Sequence, residues 1–216
     1  VRQISNPKSW ILVRENESVD GEVTELDLNV KGVIIGKNLP PFDIQQLNVA
    51  KYKYLRQHLE VSGLGLPAFD TAVENMAHFH GIFERQFPEG QLEHWSPKRN
   101  MGVASIESSN RIFTPYFDAE HCVVLPFPSN WDTSGNLSQF ATDKFRFCDD
   151  NLVRYYVKST TEDYSSFLEV SPVIFRIGDI VEERFTLSVV QIGRSKYRMM
   201  TTLRALILLE DACSKV

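Results

Sequence analysis

Residues 180–209, IVEERFTLSVVQIGRSKYRMMTTLRALILL, carry the most regular pattern in this sequence. Every second residue from Phe185 to Val189 is apolar, which is the spacing of side chains on one face of a β-strand. The Gly-Arg-Ser at 193–195 makes a tight reversal, after which apolar and polar residues alternate again. Residues 203–209 are apolar on both faces, so we expect both faces to be covered there. The pattern predicts a long β-hairpin with one end buried.

Shorter alternating, β-branched or aromatic runs predict further strands. They lie at about 9–14, 22–30, 32–36, 101–107, 111–117, 121–127, 144–147 and 152–157. Apolar residues at spacings of three and four predict two amphipathic helices. The first spans about 43–61, with Asp43 as its N-cap and Gly63 just beyond its end, and the second spans about 66–86.

The order of these elements predicts the fold class. Helices and strands do not alternate along the chain, which argues against a parallel α/β fold and favours α+β. We therefore predict that residues 1–216 form a single α+β domain. Its two helices are expected to pack on a mostly antiparallel, twisted sheet or a partly open barrel.

The composition is that of a globular protein with an acidic balance of charge. Of the 216 residues, 43% are hydrophobic, so the chain can bury a sizeable core. The net charge of −5 argues against a protein that lives on duplex nucleic acid, although it is compatible with a local basic groove. Cys122, Cys148 and Cys213 lie far apart and form neither a zinc motif nor a disulfide framework.

The sequence also gives an expectation for the compartment. No segment has the pattern of a secretory signal, and no apolar run is long enough to span a bilayer. Isolated cysteines are usual in reducing compartments. We therefore expect an intracellular protein of the cytoplasm or nucleus. Because Val1 rather than a methionine comes first, the sequence leaves open a leader or another domain ahead of it.

No linear catalytic motif is present in the sequence. Patterns for a phosphate-binding loop, a dinucleotide site and a nucleophile elbow are absent, and we predict neither a cofactor nor a metal. An enzyme is an alternative only if distant residues assemble its site. The candidates are then His80, His94, Glu120 and His121, beside the long loop around Trp131.

Cations and aromatic residues interleave in the C-terminal half. Such a pattern is typical of surfaces that hold a nucleic-acid backbone beside stacking rings. The predicted binding residues are Lys144, Arg146, Phe147, Arg154, Tyr156, Arg184, Lys196, Tyr197 and Arg198. Acidic neighbours such as Asp149 and Glu183 reduce the positive field, so a solvated sheet face of mixed charge is the alternative interpretation.

Four segments carry a resemblance to a known group of sequences. They are FRIGDIVE at 175–182, LRAL at 203–206, LPPF at 39–42 and FERQFP at 83–88. Together they resemble a group of predicted proteins from mushroom-forming (basidiomycete) fungi, over about residues 39–210. The resemblance implies a eukaryotic, non-secreted protein and points to no particular activity. The long hairpin alone is also similar to those of OB-type single-strand binders.

These observations favour a non-enzymatic binding or interaction domain. Its expected partner is single-stranded nucleic acid or another protein, with no membrane contact. The first alternative is the enzyme with a dispersed site. The second alternative is a homo-oligomeric structural protein that buries its aromatic surface in a symmetric interface.

Overall fold

The computed structural model describes residues 1–5, 8–14, 24–42, 48–119, 122–132, 135–141, 144–160 and 165–211. The strands are β1 (Arg2–Ser5), β2 (Lys8–Ile11), β3 (Val13–Arg14), β4 (Thr24–Glu25), β5 (Leu28–Asn38), β6 (Arg56–Ser62), β7 (Lys98–Asn100), β8 (Val103–Arg111), β9 (Thr114–Pro115), β10 (Phe145–Arg146), β11 (Arg154–Thr160), β12 (Ser165–Glu169), β13 (Ile180–Gly193) and β14 (Lys196–Glu210). The α-helices are α1 (Pro67–Glu84) and α2 (Asn136–Phe140). Short 3-10 helices lie at Val49–Tyr54, Tyr116–Asp118, Asp149–Asn151 and Pro172–Ile174. In these ranges no helix has both the length and the apolar character needed to cross a membrane.

One large sheet organises the molecule. Eight of its ten strands follow the order β12-β11-β14-β13-β5-β6-β8-β7, and β2, which is paired with β1, branches from β13. Only β11 and β14 pair in parallel among the described strands; the other pairs are antiparallel. The order ends in different strands on its two sides, so this sheet is not a closed barrel. The protein is α+β with a mostly antiparallel sheet, as predicted.

The predicted hairpin lies at the middle of this sheet as β13 and β14. Residues Ile180–Phe185 pair with β5, whereas Ser188–Val190 pair with β2. A register shift between Arg184 and Phe185 lies where β13 changes partner, and bulges of this kind bend and twist a strand. Residues 203–208 are buried except for one half-buried position, which confirms that both faces are covered there.

The predicted first helix at 43–61 is wrong. Residues 43–47, with the predicted N-cap Asp43, lie outside the described residues, Val49–Tyr54 form a 3-10 helix and Arg56–Ser62 form β6. The reason is that burial alternates with a period of two in this segment, as in a strand. Gln57, Leu59 and Val61 are all fully buried, while the residues between them are half-buried. Leu59 satisfies both a spacing of four and a spacing of two, and the sheet partner decides between them.

The predicted second helix is confirmed by α1. Phe69, Met76 and Phe83 are buried on one side of it, where it packs on β5 and β8. Gly63 is therefore not the end of a preceding helix. A Cβ atom at Gly63 would lie 2.1 Å from the Cβ atom of Phe69, so glycine is required for the helix to approach the sheet this closely.

Several predicted strands have different bounds in the structure. The glycines at 32 and 36 do not end a strand, because β5 runs through both. Within the predicted strand 111–117, only Arg111, the last residue of β8, and the short β9 belong to strands. The chain leaves the extended conformation at Tyr116, which begins a 3-10 helix. In the predicted strand 121–127, His121 lies outside the described residues and Val124 forms an isolated bridge with Cys148.

A buried acid lies in the middle of the sheet. Glu183 on β13 faces the interior between Val30 of β5 and Leu206 of β14, and its side chain is fully buried. Neither of its carboxylate oxygens makes a hydrogen bond of normal geometry within the described residues, and the same holds for the Ser108 hydroxyl. Burial raises the pKa of Glu183 to about 8, with the Ser108 hydroxyl opposing the shift.

Candidate functional site

Two arginines face each other across neighbouring strands at one end of the sheet. Arg56 begins β6 and Arg111 ends β8, and the two are direct partners in the antiparallel register. Both alternate with core-facing residues, so both side chains lie on the opposite face of the sheet from the buried Gln57. Like charges placed directly opposite each other destabilise a sheet by roughly 0.2–1 kcal/mol. The fold therefore tolerates a local cost at this pair.

Arg56 is the less compensated member of the pair. Its Nε donates a hydrogen bond to the Ser109 hydroxyl at 2.9 Å, but within the described residues no carboxylate lies at ion-pair distance. Burial and then the charge of Arg111 lower the pKa of Arg56. Arg111 has an ion pair with Asp118 at 3.5 Å. A half-buried guanidinium beside a second one is a site that an anion would stabilise.

A third arginine, Arg204 on β14, lines the same space but is held by protein groups. It donates to Glu25 at 3.0 Å, to the Asp150 carboxylate at 3.3 Å and to the Thr186 hydroxyl at 3.2 Å. Its hydrogen-bonding capacity is largely used inside the protein. Arg204 therefore contributes positive charge and shape, whereas Arg56 retains donors for a ligand.

Two grooves meet at Arg56. The first has a volume of about 310 Å³ and contains Arg56, Arg111 and Arg204. The second has a volume of about 410 Å³ and contains Arg56, Lys98 and Arg198. Because Arg56 and Met200 line both grooves, the two grooves are neighbours across β6, β8 and β14, and we call them together the joined groove.

The walls of this joined groove combine positive charge with apolar surface. The charged residues that line it are five cations (Arg56, Lys98, Arg111, Arg198 and Arg204) and three acids (Glu25, Glu107 and Asp150), an excess of two positive charges on a chain whose net charge is −5. The apolar walls include Ile11, Val190, Met200 and Trp95. A groove of this kind suits an extended ligand with anionic groups and flat apolar groups.

The second groove also contains an ion-paired acid. Lys98 contacts Glu107 at 2.7 Å, and His58 contacts the other oxygen of Glu107 at 2.5 Å. Burial raises the pKa of Glu107, but the hydrogen bonds from Lys98 and His58 outweigh it and the net pKa is lowered. Arg198 pairs with Glu93 at 2.7 Å and is more than half exposed. Ion pairs with this degree of exposure contribute little to stability.

Of the predicted binding residues, Arg198 lines the joined groove. Arg146 lines neither groove, and its guanidinium lies 4.6 Å from the centre of the Tyr116 ring. The backbone carbonyl of Lys144 accepts a hydrogen bond from the Tyr116 amide at 3.0 Å. Phe147 is a core residue, packed 5.5 Å from Trp131 between ring centres, so the predicted stacking surface does not include it.

The remaining predicted residues lie in two other places. Arg154, Tyr156 and Arg184 lie on β11 and β13, where the Phe167 ring is 5.5 Å from the Arg184 guanidinium and 6.3 Å from the Tyr156 ring. Lys196 and Tyr197 lie next to the loop that follows α1. Lys196 donates to the Gly90 carbonyl at 2.9 Å, and the Tyr197 ring packs against Trp10 and Phe87. A role of these five residues in binding stays a prediction.

The residues of the enzyme alternative are only partly assembled. The rings of His80 and His94 are 6.0 Å apart, but His80 is engaged with the Glu93 carbonyl at 2.9 Å. Trp131 is buried, and Glu120 and His121 lie outside the described residues. In the part of the chain that the structure describes, no group of three or more His, Cys, Asp or Glu is arranged to hold a metal ion.

Sequence comparison adds no relative of known function. No family model matches the chain, and no curated protein matches it. Among solved structures it is similar to gp2.5, a single-stranded DNA binding protein encoded by bacteriophage T7, with a TM-score of 0.46, 8% identity, and coverage of 86% of this chain and 92% of the other. It is also similar to a C-terminal truncation of the single-stranded DNA-binding protein from bacteriophage Enc34, with a TM-score of 0.42, 7% identity, and coverage of 93% and 95%.

Proposed function

We propose that this protein binds single-stranded nucleic acid in the joined groove at Arg56. The observation that carries the proposal is the direct opposition of Arg56 and Arg111, with no carboxylate at ion-pair distance from Arg56 among the described residues. A phosphodiester between the two guanidinium groups would relieve their repulsion and accept hydrogen bonds from both. The repulsion that destabilises the free protein at Arg56 and Arg111 would thereby favour binding.

The charge of the protein and the apolar walls of the groove favour a single strand over a duplex. Duplex binding depends mainly on phosphate contacts over a broad basic surface, which a net charge of −5 opposes. A single strand exposes the faces of its bases, and the side chains of Trp95, Met200 and Ile11 give the groove apolar surface beside its cations. The combination supports backbone contacts at Arg56 with bases against the neighbouring walls.

Fluorescence anisotropy with a labelled oligothymidine of about 10 nucleotides tests the proposal. We expect binding at about 50 mM salt that weakens steeply as salt increases. Arg56→Gln should weaken binding about tenfold and lower the slope of log affinity against log salt by about 0.7, the value for one phosphate contact to a single strand. Arg85→Gln is the matched control, because Arg85 is exposed at the end of α1 and lines neither groove.

Two results would overturn the proposal. The first is unchanged anisotropy of the wild-type protein at low salt. The second is equal affinity of the Arg56→Gln and Arg85→Gln variants. If Arg184→Gln weakens binding instead, the ligand lies on the sheet face around Phe167 and the groove is not its site.

A further inference from the structure

Phe117 is an exposed aromatic residue directly before Asp118, the ion-pair partner of Arg111. Phe117 is 85% exposed, which is the highest value among the aromatic residues that the structure describes. Tyr116 beside it is 49% exposed. The two rings are 5.8 Å apart between centres and nearly perpendicular. Large apolar rings in such exposure are available to a partner rather than to the core.

The position of this ring is tied to the groove. Phe117 is the middle residue of the 3-10 helix Tyr116–Asp118. The next residue, Asp118, forms the ion pair with Arg111, and Arg111 lines the groove. On the other side, the Tyr116 amide is hydrogen-bonded to the Lys144 carbonyl. The short helix is therefore held at both ends, and its exposed Phe117 directly precedes the residue that pairs with Arg111 of the groove.

A cation completes the surface. The Arg146 guanidinium lies 4.6 Å from the centre of the Tyr116 ring, in the range of a cation–π contact. It supports the Tyr116 ring from one direction and adds positive charge beside the two aromatic rings. We call Tyr116, Phe117 and Arg146 the aromatic platform. Its parts are the ones that bind a base and its phosphate together: an exposed ring for stacking and a neighbouring guanidinium.

We infer that the aromatic platform stacks on a base of the bound strand, and that it thereby makes the protein select nucleic acid over other polyanions. This inference rests on the proposed function, since it concerns the continuation of the same site. The arginines of the groove respond to any string of phosphates. Stacking on Phe117 requires a base, although not a particular one, because every base has a flat face.

The test compares three probes of similar charge on the intact protein: oligothymidine of about 10 nucleotides, an abasic oligomer of the same length and inorganic polyphosphate. The wild type should bind oligothymidine about tenfold more tightly than the abasic oligomer, which is equivalent to about 1.4 kcal/mol. Phe117→Ala should remove that preference and leave affinity for the other two probes unchanged. Phe117→Trp should restore it. Phe167→Ala, which removes a half-exposed ring that lies beside Arg184 and lines neither groove, is the matched control and should behave as wild type.

The outcomes separate the two proposals. If the wild type binds none of the probes at low salt, the proposed function and this inference both fail. If it binds all three equally and Phe117→Ala changes nothing, the platform is not a stacking site but the groove proposal stands. If Phe117→Ala leaves the preference intact and turns a dimer into a monomer on light scattering, the ring is covered by a second copy of the chain and the inference is overturned.

Discussion

Replacing the buried Glu183 by glutamine should change how the stability of this protein depends on pH. The side chain is fully buried in β13, and neither carboxylate oxygen makes a hydrogen bond of normal geometry within the described residues. A carboxylate buried in this way is strongly disfavoured even with the Ser108 hydroxyl beside it, so the group is held as the neutral acid. Glutamine has nearly the same shape and does not ionise, and Glu183→Gln therefore isolates the effect of the proton.

The size of the effect follows from the raised pKa. In the unfolded chain the carboxyl group titrates near its ordinary 4.5, whereas in the folded protein burial raises the pKa to about 8. Below pH 4.5 the group is protonated in both the folded and the unfolded state, so it does not lower the free energy of unfolding. As the pH rises towards 8, the unfolded state releases its proton first and stability is lost. Integrated from about pH 5 to about pH 9, the loss is about 4 kcal/mol.

Urea denaturation followed by tryptophan fluorescence at about pH 5, 7 and 9 measures this loss. The free energy of unfolding of the wild type should fall by about 4 kcal/mol more than that of Glu183→Gln across this range. Glu182→Gln is the matched control, because the Glu182 carboxylate already has the Arg184 guanidinium at 3.1 Å. A difference below about 1 kcal/mol between wild type and Glu183→Gln would show that Glu183 is not kept neutral in the interior.

Two further predictions concern stability. Gly63→Ala places a Cβ atom 2.1 Å from the Phe69 Cβ, so we expect a loss of about 3 kcal/mol or more in thermal unfolding. Gly81→Ala, in the last turn of α1 with open space around it, should instead stabilise by about 0.5–1 kcal/mol, and equal melting temperatures of the two variants would contradict the packing argument. Arg56→Met keeps the side-chain stem and removes the charge opposite Arg111, so stability should stay equal or rise by up to about 1 kcal/mol while oligothymidine binding falls. A loss of more than about 2 kcal/mol in urea denaturation would mean that Arg56 is needed for folding rather than for a ligand.

The hairpin and the fold class could be predicted because their signals are long and local. Alternation over some thirty residues with one turn between has few other interpretations, and α1 has a continuous apolar side. The helix at 43–61 failed for the opposite reason. Leu59 fits a helical spacing and a strand spacing equally well, and its true partners on β5 and β8 are distant in sequence.

The candidate site was predictable only at its ends. Arg146 and Arg198 stand in segments where cations and rings alternate, and that pattern led to both. Arg56 and Arg111 have ordinary sequence neighbours. What distinguishes them is their pairing across β6 and β8, and that register depends on the whole sheet rather than on either segment.

The place of β13 in the sheet has a consequence for biosynthesis. β13 and β14 join two groups of strands that come earlier in the chain: β2 and β5 with β6 and β8 on one side, β11 and β12 on the other. During synthesis, both groups of strands have unpaired edges until the hairpin has emerged from the ribosome. Exposed strand edges are prone to pair with other chains. The nascent chain should therefore be most prone to aggregation before residue 210 is clear of the exit tunnel.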